Sequence, residues 1–324
     1  MERTGDLRDR LQRSTSFTVR NEKQPRGPKA AQMSANALIE MGWGRILFGH
    51  TFRDQEDLCA AMDREAAGQR DITFYLRDPH VLLAMGPERF FLDPSRTYRR
   101  WMHEYQPRSV RSAAFSLRRL HSRDDAEAIN RLYAARHMVP CDPDFLLANR
   151  ASRKRTYLVA ESAVDGRIVG TVTGVDHVEA FSDPEGGASL WCLAVDPQAN
   201  PPGVGEALVR HLADHYLTRG RAYLDLSVMH DNQEAIALYE KIGFQRVPVF
   251  CVKRKNPINE PLYTGASPID RLNPYAGIIV TEALRRGIGV KVVDAAYGYF
   301  DLTFGGRRIA CRDATDLPAL GRVD

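Results

Sequence analysis

Residues 189–244 constrain the fold of this chain more than any other part of the sequence. An apolar run at 190–195 is typical of a buried strand, and Gly203 and Gly205 stand at the start of an amphipathic helical pattern. The first N–H groups of a helix have no intrahelical partner and lie at the positive end of its dipole. A strand, a glycine loop and a helix in this order therefore predict a pyrophosphate site that needs no basic side chain.

A second strand and helix follow this loop. The run at 222–228 predicts a strand, and a helical pattern that carries Tyr239 begins after Asn232 and ends at Gly243. Two interpretations stay open for each polar residue. Tyr239 shares a helical face with apolar neighbours, so it fits either a reactive hydroxyl or a core position. Asn232 fits either a ligand contact or a helix cap.

With these motifs, residues 113–253 resemble the Gcn5-related N-acetyltransferase family. The resemblance implies an α/β fold with a mixed, mostly antiparallel sheet flanked by helices, and acetyl-coenzyme A (acetyl-CoA) as cofactor. The family's loop reads Gln or Arg, two residues, Gly, one residue, and Gly or Ala. Here Asn200 stands first, followed by Pro201 and Pro202. Because proline has no N–H, we expect the phosphates to rest mainly on the N–H groups of residues 203–206.

The family's functional residues carry over to matching positions of this chain. Tyr239 is expected beside the cofactor sulfur as the general acid. A bulge is expected to splay the strand before the glycine loop and to free main-chain groups for the pantetheine arm and the thioester carbonyl. The cofactor-binding residues that the resemblance implies are Leu193, Ala194, Val195, Asn200, Gly203, Val204, Gly205, Glu206, Ala207, Asn232 and Tyr239.

Acetyl transfer from a thioester to an amine needs three kinds of group. An amine attacks a thioester as the free base, the carbonyl oxygen needs backbone donors as it gains charge, and the departing thiolate benefits from a proton. Tyrosine, with an ordinary pKa of about 10, can supply that proton at neutral pH. No general base is assigned. The candidates are Asp176, His177, Asp183 and Glu185, and a chain of water molecules is the alternative.

Neither a cysteine nucleophile nor a metal site is predicted. Cys192 has no His or Asp at an activating spacing, so we expect a small buried hydrophobic residue there. The five cysteines are odd in number and widely spaced, with no metal or disulfide framework. They fit a reducing cytoplasm, and no apolar run is long enough for a signal peptide or a membrane span.

The net charge of +4 comes entirely from the first 33 residues, which hold eight Lys or Arg against four Asp or Glu. This segment is predicted to be a disordered basic tail. A modest positive arm is too little for a nucleic-acid role, so neither a nucleic acid nor a membrane is expected as a partner.

At 324 residues the chain is long for one acetyltransferase domain of roughly 150 residues, so flanking modules are expected. We predict a small α/β module at 34–108, with strand-like runs at 71–76 and 80–85. The N-acetyltransferase domain follows at 109–256, and a linker containing prolines at 257–270.

The C-terminal segment, residues 271–324, contains a helical pattern and short strands with a hairpin turn at Gly305 and Gly306. Its text LNPYAGIIVTEALRRGIGVKVVDAAYGYFDLTFGGRRIACRD resembles the small domain that precedes the nucleotide-binding core of ATP-grasp ligases. With DPDF, VTGVDHV and SLWCLAVDPQA, nearly the whole chain after residue 33 is similar to the N-terminal half of the N-acetylglutaminylglutamine synthetase family. We therefore predict a partial pre-ATP-grasp-like domain and no ligase activity from this chain alone.

This second resemblance implies an acceptor and a pathway. In that family an acetyltransferase is fused to an ATP-grasp ligase, and the product leads to a bacterial osmoprotectant. The implied acceptor is a small-molecule amine, the α-amine of glutamine or a glutaminyl dipeptide, and the implied partner is an ATP-grasp ligase half. Two other hypotheses stay open: a catalytically weak acetyl-CoA sensor that regulates a ligase, and an acetyltransferase for protein or polyamine amines. An arginine clamp would favour an amino-acid carboxylate, and an acidic cleft a polyamine.

Overall fold

The computed structural model describes residues 33–76, 78–108, 112–198, 201–264, 268–312 and 315–316. Apart from Met33, the predicted basic tail lies outside the described residues, and so does Asn200. The chain divides into two compact units, residues 1–258 and 259–324, and each is described by itself.

The described part of the first unit contains two sheets. Its strands are β1 (Leu38–Glu40), β2 (Arg45–Phe48), β3 (Ile72–Leu76), β4 (Phe90–Leu92), β5 (Ser95–Trp101), β6 (Phe115–Arg119), β7 (Arg155–Ser162), β8 (Ile168–Asp176), β9 (Gly187–Val195), β10 (Tyr223–Met229), β11 (Gln245–Val247) and β12 (Phe250–Arg254). Its helices are α1 (Gln55–Met62), α2 (Pro79–Met85), α3 (Arg123–Ala135), α4 (Pro143–Ala148), α5 (His177–Phe181), α6 (Val204–Thr218) and α7 (Gln233–Ile242), with 3₁₀ turns at Gly49–Thr51 and Met102–Glu104.

The larger sheet has the strand order β11-β5-β10-β9-β8-β7-β6. Neighbouring strands in this sheet run antiparallel, except for β9 and β10, which run parallel. This pairing confirms the predicted mixed, mostly antiparallel sheet. Helices α6 and α7 cover one face over a core that includes Leu208, Leu226 and Ile242. A second core, which includes Trp43 and Phe74 from the N-terminal segment, covers the opposite face.

The segments predicted as a module at 34–108 and a domain at 109–256 exchange strands. β5 comes from the first segment but lies inside the larger sheet, between β10 and β11. β12 comes from the second segment but lies in the smaller sheet, whose order is β1-β2-β3-β12-β4. Each sheet thus takes an internal strand from the other segment, and both segments belong to one compact unit.

The prediction of a strand at 80–85 is wrong, since the structure has helix α2 there. Pro79 lies in its first turn, where the missing N–H is tolerated and the fixed φ angle suits a helix. Leu82 is fully buried on one face of the helix. A short apolar run fits a buried strand or a buried helix equally well, so the pattern alone could not decide.

A buried ion pair links β5 to β10 and the larger sheet to the smaller one. Nε and Nη2 of Arg99 each lie 2.7 Å from a different carboxylate oxygen of Asp225. The hydroxyl of Tyr75, on β3, donates to the same carboxylate at 2.7 Å. The ring of Tyr223 stacks on the guanidinium, with its centroid 3.6 Å from the guanidinium carbon. The network therefore holds the exchanged strand in place.

The second unit contains α8 (Glu260–Tyr263), a 3₁₀ turn at Pro268–Arg271 and α9 (Pro274–Arg285). Its sheet is antiparallel, in the order β13 (Gly289–Asp294), β14 (Tyr299–Phe304), β15 (Arg307–Arg312) and β16 (Thr315–Asp316). β14 and β15 meet at Gly305 and Gly306, both with positive φ, which confirms the predicted hairpin turn. In the described parts of both units, no helix is long and apolar enough to cross a membrane.

We expect Asp225→Asn to destabilise the first unit, because it leaves the buried guanidinium of Arg99 without a full counterion. The free energy of unfolding should fall by about 3–5 kcal/mol, the cost typical of breaking a buried ion pair. Urea denaturation followed by tryptophan fluorescence measures it, since all three tryptophans lie in this unit.

Asp144→Asn is the matched control for this substitution. Asp144 also pairs with an arginine, Arg123, but both side chains are more than half exposed. Exposed ion pairs contribute little, so this variant should unfold close to the wild type. Equal losses in the two variants would mean that the buried pair contributes no more than a surface one.

Candidate active site

Strand β9 carries a β-bulge just before the glycine loop. Its pairing with β8 shifts register between Trp191 and Ala194, and Cys192 has a positive φ of 51°. Leu190 before the bulge and Leu193 after it both face the core under α6, whereas Trp191 and Cys192 face the opposite core. The extra residue therefore reverses the alternation of side chains along the strand.

β9 and β10 part at this bulge. Their parallel pairing ends at Leu190 and Leu226, although β10 continues alongside β5. The N–H of Asp196 donates to the Val169 carbonyl of β8 at 2.8 Å. Because main-chain groups alternate along a strand, the N–H of Val195 points away from β8, into the gap, while its carbonyl accepts from Nε of Arg136 at 2.8 Å. The gap thus has main-chain edges that an extended ligand can pair with.

The glycine loop ends in free N–H donors. Gly203 is the N-cap of α6 and has a φ of 88°, in the left-handed region that favours glycine. The N–H of Ala207 donates to the Gly203 carbonyl at 2.9 Å. The N–H groups of residues 204–206 precede that bond and lie at the positive end of the helix dipole. This donor set fits a pyrophosphate.

The structure brings the predicted cofactor-binding residues together where β9, α6 and α7 meet. A Cβ built on Gly205 would lie 3.7 Å from the side chain of Val195 and 3.5 Å from that of Leu238 on α7. Nζ of Lys241, on α7, lies 2.6 Å from a carboxylate oxygen of Glu206, on α6. The predicted residues at this junction are Leu193, Ala194, Val195, Gly203, Val204, Gly205, Glu206, Ala207, Asn232 and Tyr239.

Asn232 and Tyr239 both have structural roles, which are compatible with the roles predicted for them. Oδ1 of Asn232 accepts the N–H of Ala235 at 3.1 Å and caps α7. Tyr239 is 5% exposed and packs in the core under α6. Burial raises the pKa of its hydroxyl, so the group keeps its proton at neutral pH, as a proton donor must.

A cavity of about 170 Å³ opens on the other side of the gap. Its lining residues are Trp43, Arg70, Ile72, Asp93, Ser95, Met138, Val139, Trp191, Cys192, Ser227, Met229 and Lys253. On β10, Ser227 and Met229 alternate with Leu226 and Val228, which face the core that contains Tyr239. The cavity and Tyr239 therefore lie on opposite faces of the sheet, with the gap between them.

Four polar side chains of the cavity are joined by hydrogen bonds, and Arg70 lies apart from them. Nζ of Lys253 lies 2.9 Å from Oδ1 of Asp93, and the Ser95 hydroxyl donates to Oδ2 at 2.6 Å. Oγ of Ser227 lies 2.7 Å from Oγ of Ser95. Arg70 donates from Nη2 to a backbone carbonyl at 2.9 Å, but its buried Nε has no partner among the described residues. Burial also lowers the pKa of Arg70.

The four candidate bases from the sequence do not line this cavity. Asp176 is fully buried and paired with two arginines, at 3.0 and 2.8 Å. His177 bonds to a serine of β9 at 2.9 Å, and Asp183 accepts main-chain N–H groups of the loop that also holds Glu185. These groups lie toward the start of β9, whereas the gap lies at its end. The acid that does line the cavity, Asp93, was missed.

Asp93 and Ser95 come from the phrase FFLDPS, and Lys253 from β12. A Pro between an acid and a hydroxyl residue marks a turn, but nothing local shows that this turn faces the gap. Cys192 does line the cavity. Burial raises the pKa of its thiol to about 12, which favours the predicted packing role over a nucleophilic thiolate.

Comparison with known proteins identifies the central segment. Residues 123–244 match the family model described as the acetyltransferase (GNAT) family. The ribosomal protein bS18-alanine N-acetyltransferases of Escherichia coli (strain K12) and Salmonella typhimurium (strain LT2) are 45% and 38% identical over 62 and 81 residues. These matches cover 19% and 24% of this chain, and they span 42% and 55% of the relatives' own length.

Two solved structures are also similar. A GCN5-related N-acetyltransferase from Sphaerobacter thermophilus is 16% identical, with a TM-score of 0.45 over 75% of this chain and 85% of that one. The yncA protein of Salmonella typhimurium, solved with its cofactor acetyl-CoA, is 20% identical, with a TM-score of 0.36 over 44% of this chain and 94% of that one.

The chain contains a GNAT acetyltransferase domain. Acetyl-CoA, the acetyl donor of this family, is its cofactor. The geometry of the domain fits that cofactor in two places. The N–H groups of residues 204–206 suit its pyrophosphate, and the gap between β9 and β10 suits its extended arm.

Gly203→Leu should weaken the binding of acetyl-CoA to the acetyltransferase domain. A leucine is strained at a φ of 88°, and its side chain would stand where phosphates approach residues 204–206. We expect Kd, measured by isothermal titration calorimetry, to rise by about tenfold or more.

Gly220→Leu is the matched control, because Gly220 also has a positive φ, 70°, and a Cβ there would meet nothing within 4 Å. It carries the same backbone strain in a turn after α6, far from the loop, so Kd should stay unchanged. Normal binding by the Gly203 variant would place the phosphate cradle elsewhere in the chain.

Proposed function

We propose that this chain transfers the acetyl group of acetyl-CoA to the α-amine of glutamine or of a glutaminyl dipeptide, as a step in N-acetylglutaminylglutamine synthesis. The observation that carries the proposal is Arg70, a cation in the cavity beside the gap. The similarity of nearly the whole sequence to N-acetylglutaminylglutamine synthetases supports the same acceptor.

Arg70 is fixed by its backbone and lacks a full set of acceptors. Its N–H donates to the Trp43 carbonyl at 3.0 Å. A Cβ at Gly44 would lie 2.1 Å from the Arg70 carbonyl oxygen, so a glycine is needed for this approach. A buried N–H without an acceptor, such as Nε of Arg70, costs roughly 1–3 kcal/mol. A carboxylate would remove that cost, and an α-amino acid carries one next to its amine.

Residues on the two faces of the larger sheet have different roles in the proposed reaction. Bound acetyl-CoA supplies the acetyl thioester. The N–H groups of residues 204–206 hold its phosphates, and the N–H of Val195 points into the gap, where it can donate to the arm or the carbonyl. Tyr239 keeps its proton for the leaving sulfur on one face, while Arg70 orients the acceptor on the other.

A protein α-amine is the second candidate acceptor, because the similar proteins are named as alanine N-acetyltransferases for ribosomal protein bS18. Glutamine has a carboxylate on the carbon that bears its amine, and a dipeptide has one on the next residue, whereas a protein N-terminus has none near its amine and would leave Nε of Arg70 unpaired. In the favoured proposal an ATP-grasp ligase half is the partner, and the acetyltransferase is an enzyme rather than a sensor. A cytoplasmic location is proposed with it, since all five cysteines are free.

Tyr239→Phe should lower kcat by about 10²-fold and leave the Kd of acetyl-CoA nearly unchanged, because it removes the proton donor but keeps the ring in the core. Thiol release at saturating substrates measures kcat. Tyr216→Phe is the control: Tyr216 is a fully buried tyrosine of α6 that packs against Gly174 of β8, and its loss of a hydroxyl should spare kcat. An unchanged rate in the Tyr239 variant would remove it as the acid.

Arg70→Gln should raise the KM for glutamine by about 10²-fold without changing the KM for acetyl-CoA, because it removes the charged partner of the carboxylate. Glutaminamide, which has an amide in place of that carboxylate, is the matched acceptor. Wild-type enzyme should handle glutaminamide as poorly as the variant handles glutamine, and the variant should not distinguish the two.

The same assay, read by product mass, decides between the acceptors. Glutamine, glutaminylglutamine, glutamate, spermidine and a peptide that begins with alanine are supplied in turn. Preference for spermidine or for the peptide would overturn the glutamine proposal. Binding of acetyl-CoA with no thiol release from any acceptor would favour the sensor.

A further inference from the structure

We propose that the hydroxyls of Ser227 and Ser95 relay the proton of the acceptor's ammonium group to the carboxylate of Asp93. The inference rests on the proposed function, because it requires an amine acceptor in the cavity. The α-amine of a peptide has an ordinary pKa of about 8, and that of a free amino acid lies higher, so the acceptor is mostly protonated at neutral pH and needs a base before it can attack. The four bases considered from the sequence do not line the cavity.

The three side chains form a continuous hydrogen-bonded chain on the cavity wall. Oγ of Ser95 donates to Oδ2 of Asp93 at 2.6 Å, and Oγ of Ser227 lies 2.7 Å from Oγ of Ser95. A serine has one hydroxyl proton, and that of Ser95 is engaged with Asp93, so Ser227 is the donor in the second bond. Oγ of Ser227 also lies 3.7 Å from Sγ of Cys251, whose thiol can donate to one lone pair, and the other lone pair can accept a proton from an ammonium in the cavity that Ser227 lines.

The strand exchange places this chain at the gap. Ser95 lies opposite Met229 in the β5–β10 register, so Ser95 and Ser227 are diagonal neighbours on one face. The N–H of Asp93 donates to the Cys251 carbonyl at 2.9 Å, which ties the carboxylate to β12. Asp93 is 6% exposed, so solvent competes little for its oxygens.

Lys253, Arg70 and Cys251 are the titratable groups of the neighbouring elements that face Asp93. Nζ of Lys253 lies 2.9 Å from Oδ1, and Arg70 attracts the carboxylate from the cavity wall. Burial raises the pKa of the Cys251 thiol to about 12, so this group is neutral. An acceptor's carboxylate bound to Arg70 would hold the ammonium of the same molecule in the cavity that Ser227 lines.

The transfer balances in atoms and charge. An N–H bond of the ammonium breaks as an O–H bond forms on Ser227. The proton of Ser227 moves to Ser95, and the proton of Ser95 moves to Oδ2 of Asp93. The neutral amine then forms a C–N bond with the thioester carbon as the C–S bond breaks. The sulfur takes the proton of Tyr239, and the proton that the nitrogen then releases is equivalent to the one that restores the Tyr239 hydroxyl. Asp93 returns its proton to solvent after the product leaves.

Kinetics of the full chain with glutamine test the relay. Ser227→Ala, Ser95→Ala and Asp93→Asn should each lower kcat by about 10²-fold at pH 7 and leave the KM for acetyl-CoA unchanged. The two serine substitutions combined should cost no more than one of them, because either one interrupts the same chain. Ser227→Thr keeps a hydroxyl and should keep most of the rate.

The pH profile separates a proton relay from a structural role. In the relay-deficient variants kcat should rise about tenfold per pH unit, so the 10²-fold loss at pH 7 should close over roughly two pH units, as the acceptor loses its proton unaided. Ser162→Ala is the matched control: Ser162 is a buried serine of β7 that accepts the N–H of Val164 and does not line the cavity, and its variant should keep the wild-type profile.

Two outcomes would overturn the relay, and they are distinguishable. If wild-type enzyme acetylates no amine of the acceptor panel, the proposed function and the relay both fail. If it acetylates glutamine but Ser227→Ala has the wild-type kcat and pH profile, only the relay fails. Ser227→Ala is the decisive variant, because it leaves the buried Asp93–Lys253 pair intact if Asp93→Asn does not fold.

Discussion

The β-bulge at Cys192 and Leu193 is the constraint on which the rest of the site depends. A regular β9 would continue to pair with β10, and there would be neither a gap nor free main-chain edges. The left-handed conformation of Cys192 costs roughly 1–2 kcal/mol for a residue other than glycine. It is maintained because Trp191 and Leu193 are each packed into a different core. Unpaired backbone groups need other partners, and a ligand in the gap between β9 and β10 would supply them.

The second constraint is the exchange of strands, which divides the site into two halves of different origin. The half toward the cofactor is contiguous in sequence, and it lies inside the residues that match the family model, 123–244. Most of the polar groups of the cavity lie outside that range: Arg70, Asp93, Ser95 and Lys253. The family match therefore accounts for the donor chemistry, and in the proposed function the N-terminal segment and β12 select the acceptor.

This division also explains what the sequence could predict. Gly203 and Asn232 act through local backbone geometry, a left-handed cap and a side-chain cap, and local rules identify both. The position of β5 depends on pairing with β10 across more than a hundred residues, and its alternation gives no clue to its partner. For the same reason the sequence indicated candidate bases just before β9, such as Asp176 and His177. The acid that lines the cavity is Asp93.

The charges of the cavity favour an acceptor that carries a carboxylate as well as an amine. The described lining holds two cations, Arg70 and Lys253, and one carboxylate, Asp93. Lys253 is matched by Asp93 at 2.9 Å, so the unbalanced charge is that of Arg70. A polyamine would add cations to this excess, whereas a zwitterionic amino acid adds no net charge, pairs its carboxylate with Arg70 and presents its ammonium beside the serine hydroxyls. An acceptor without a carboxylate is then disfavoured, because it leaves the buried Nε of Arg70 without an acceptor.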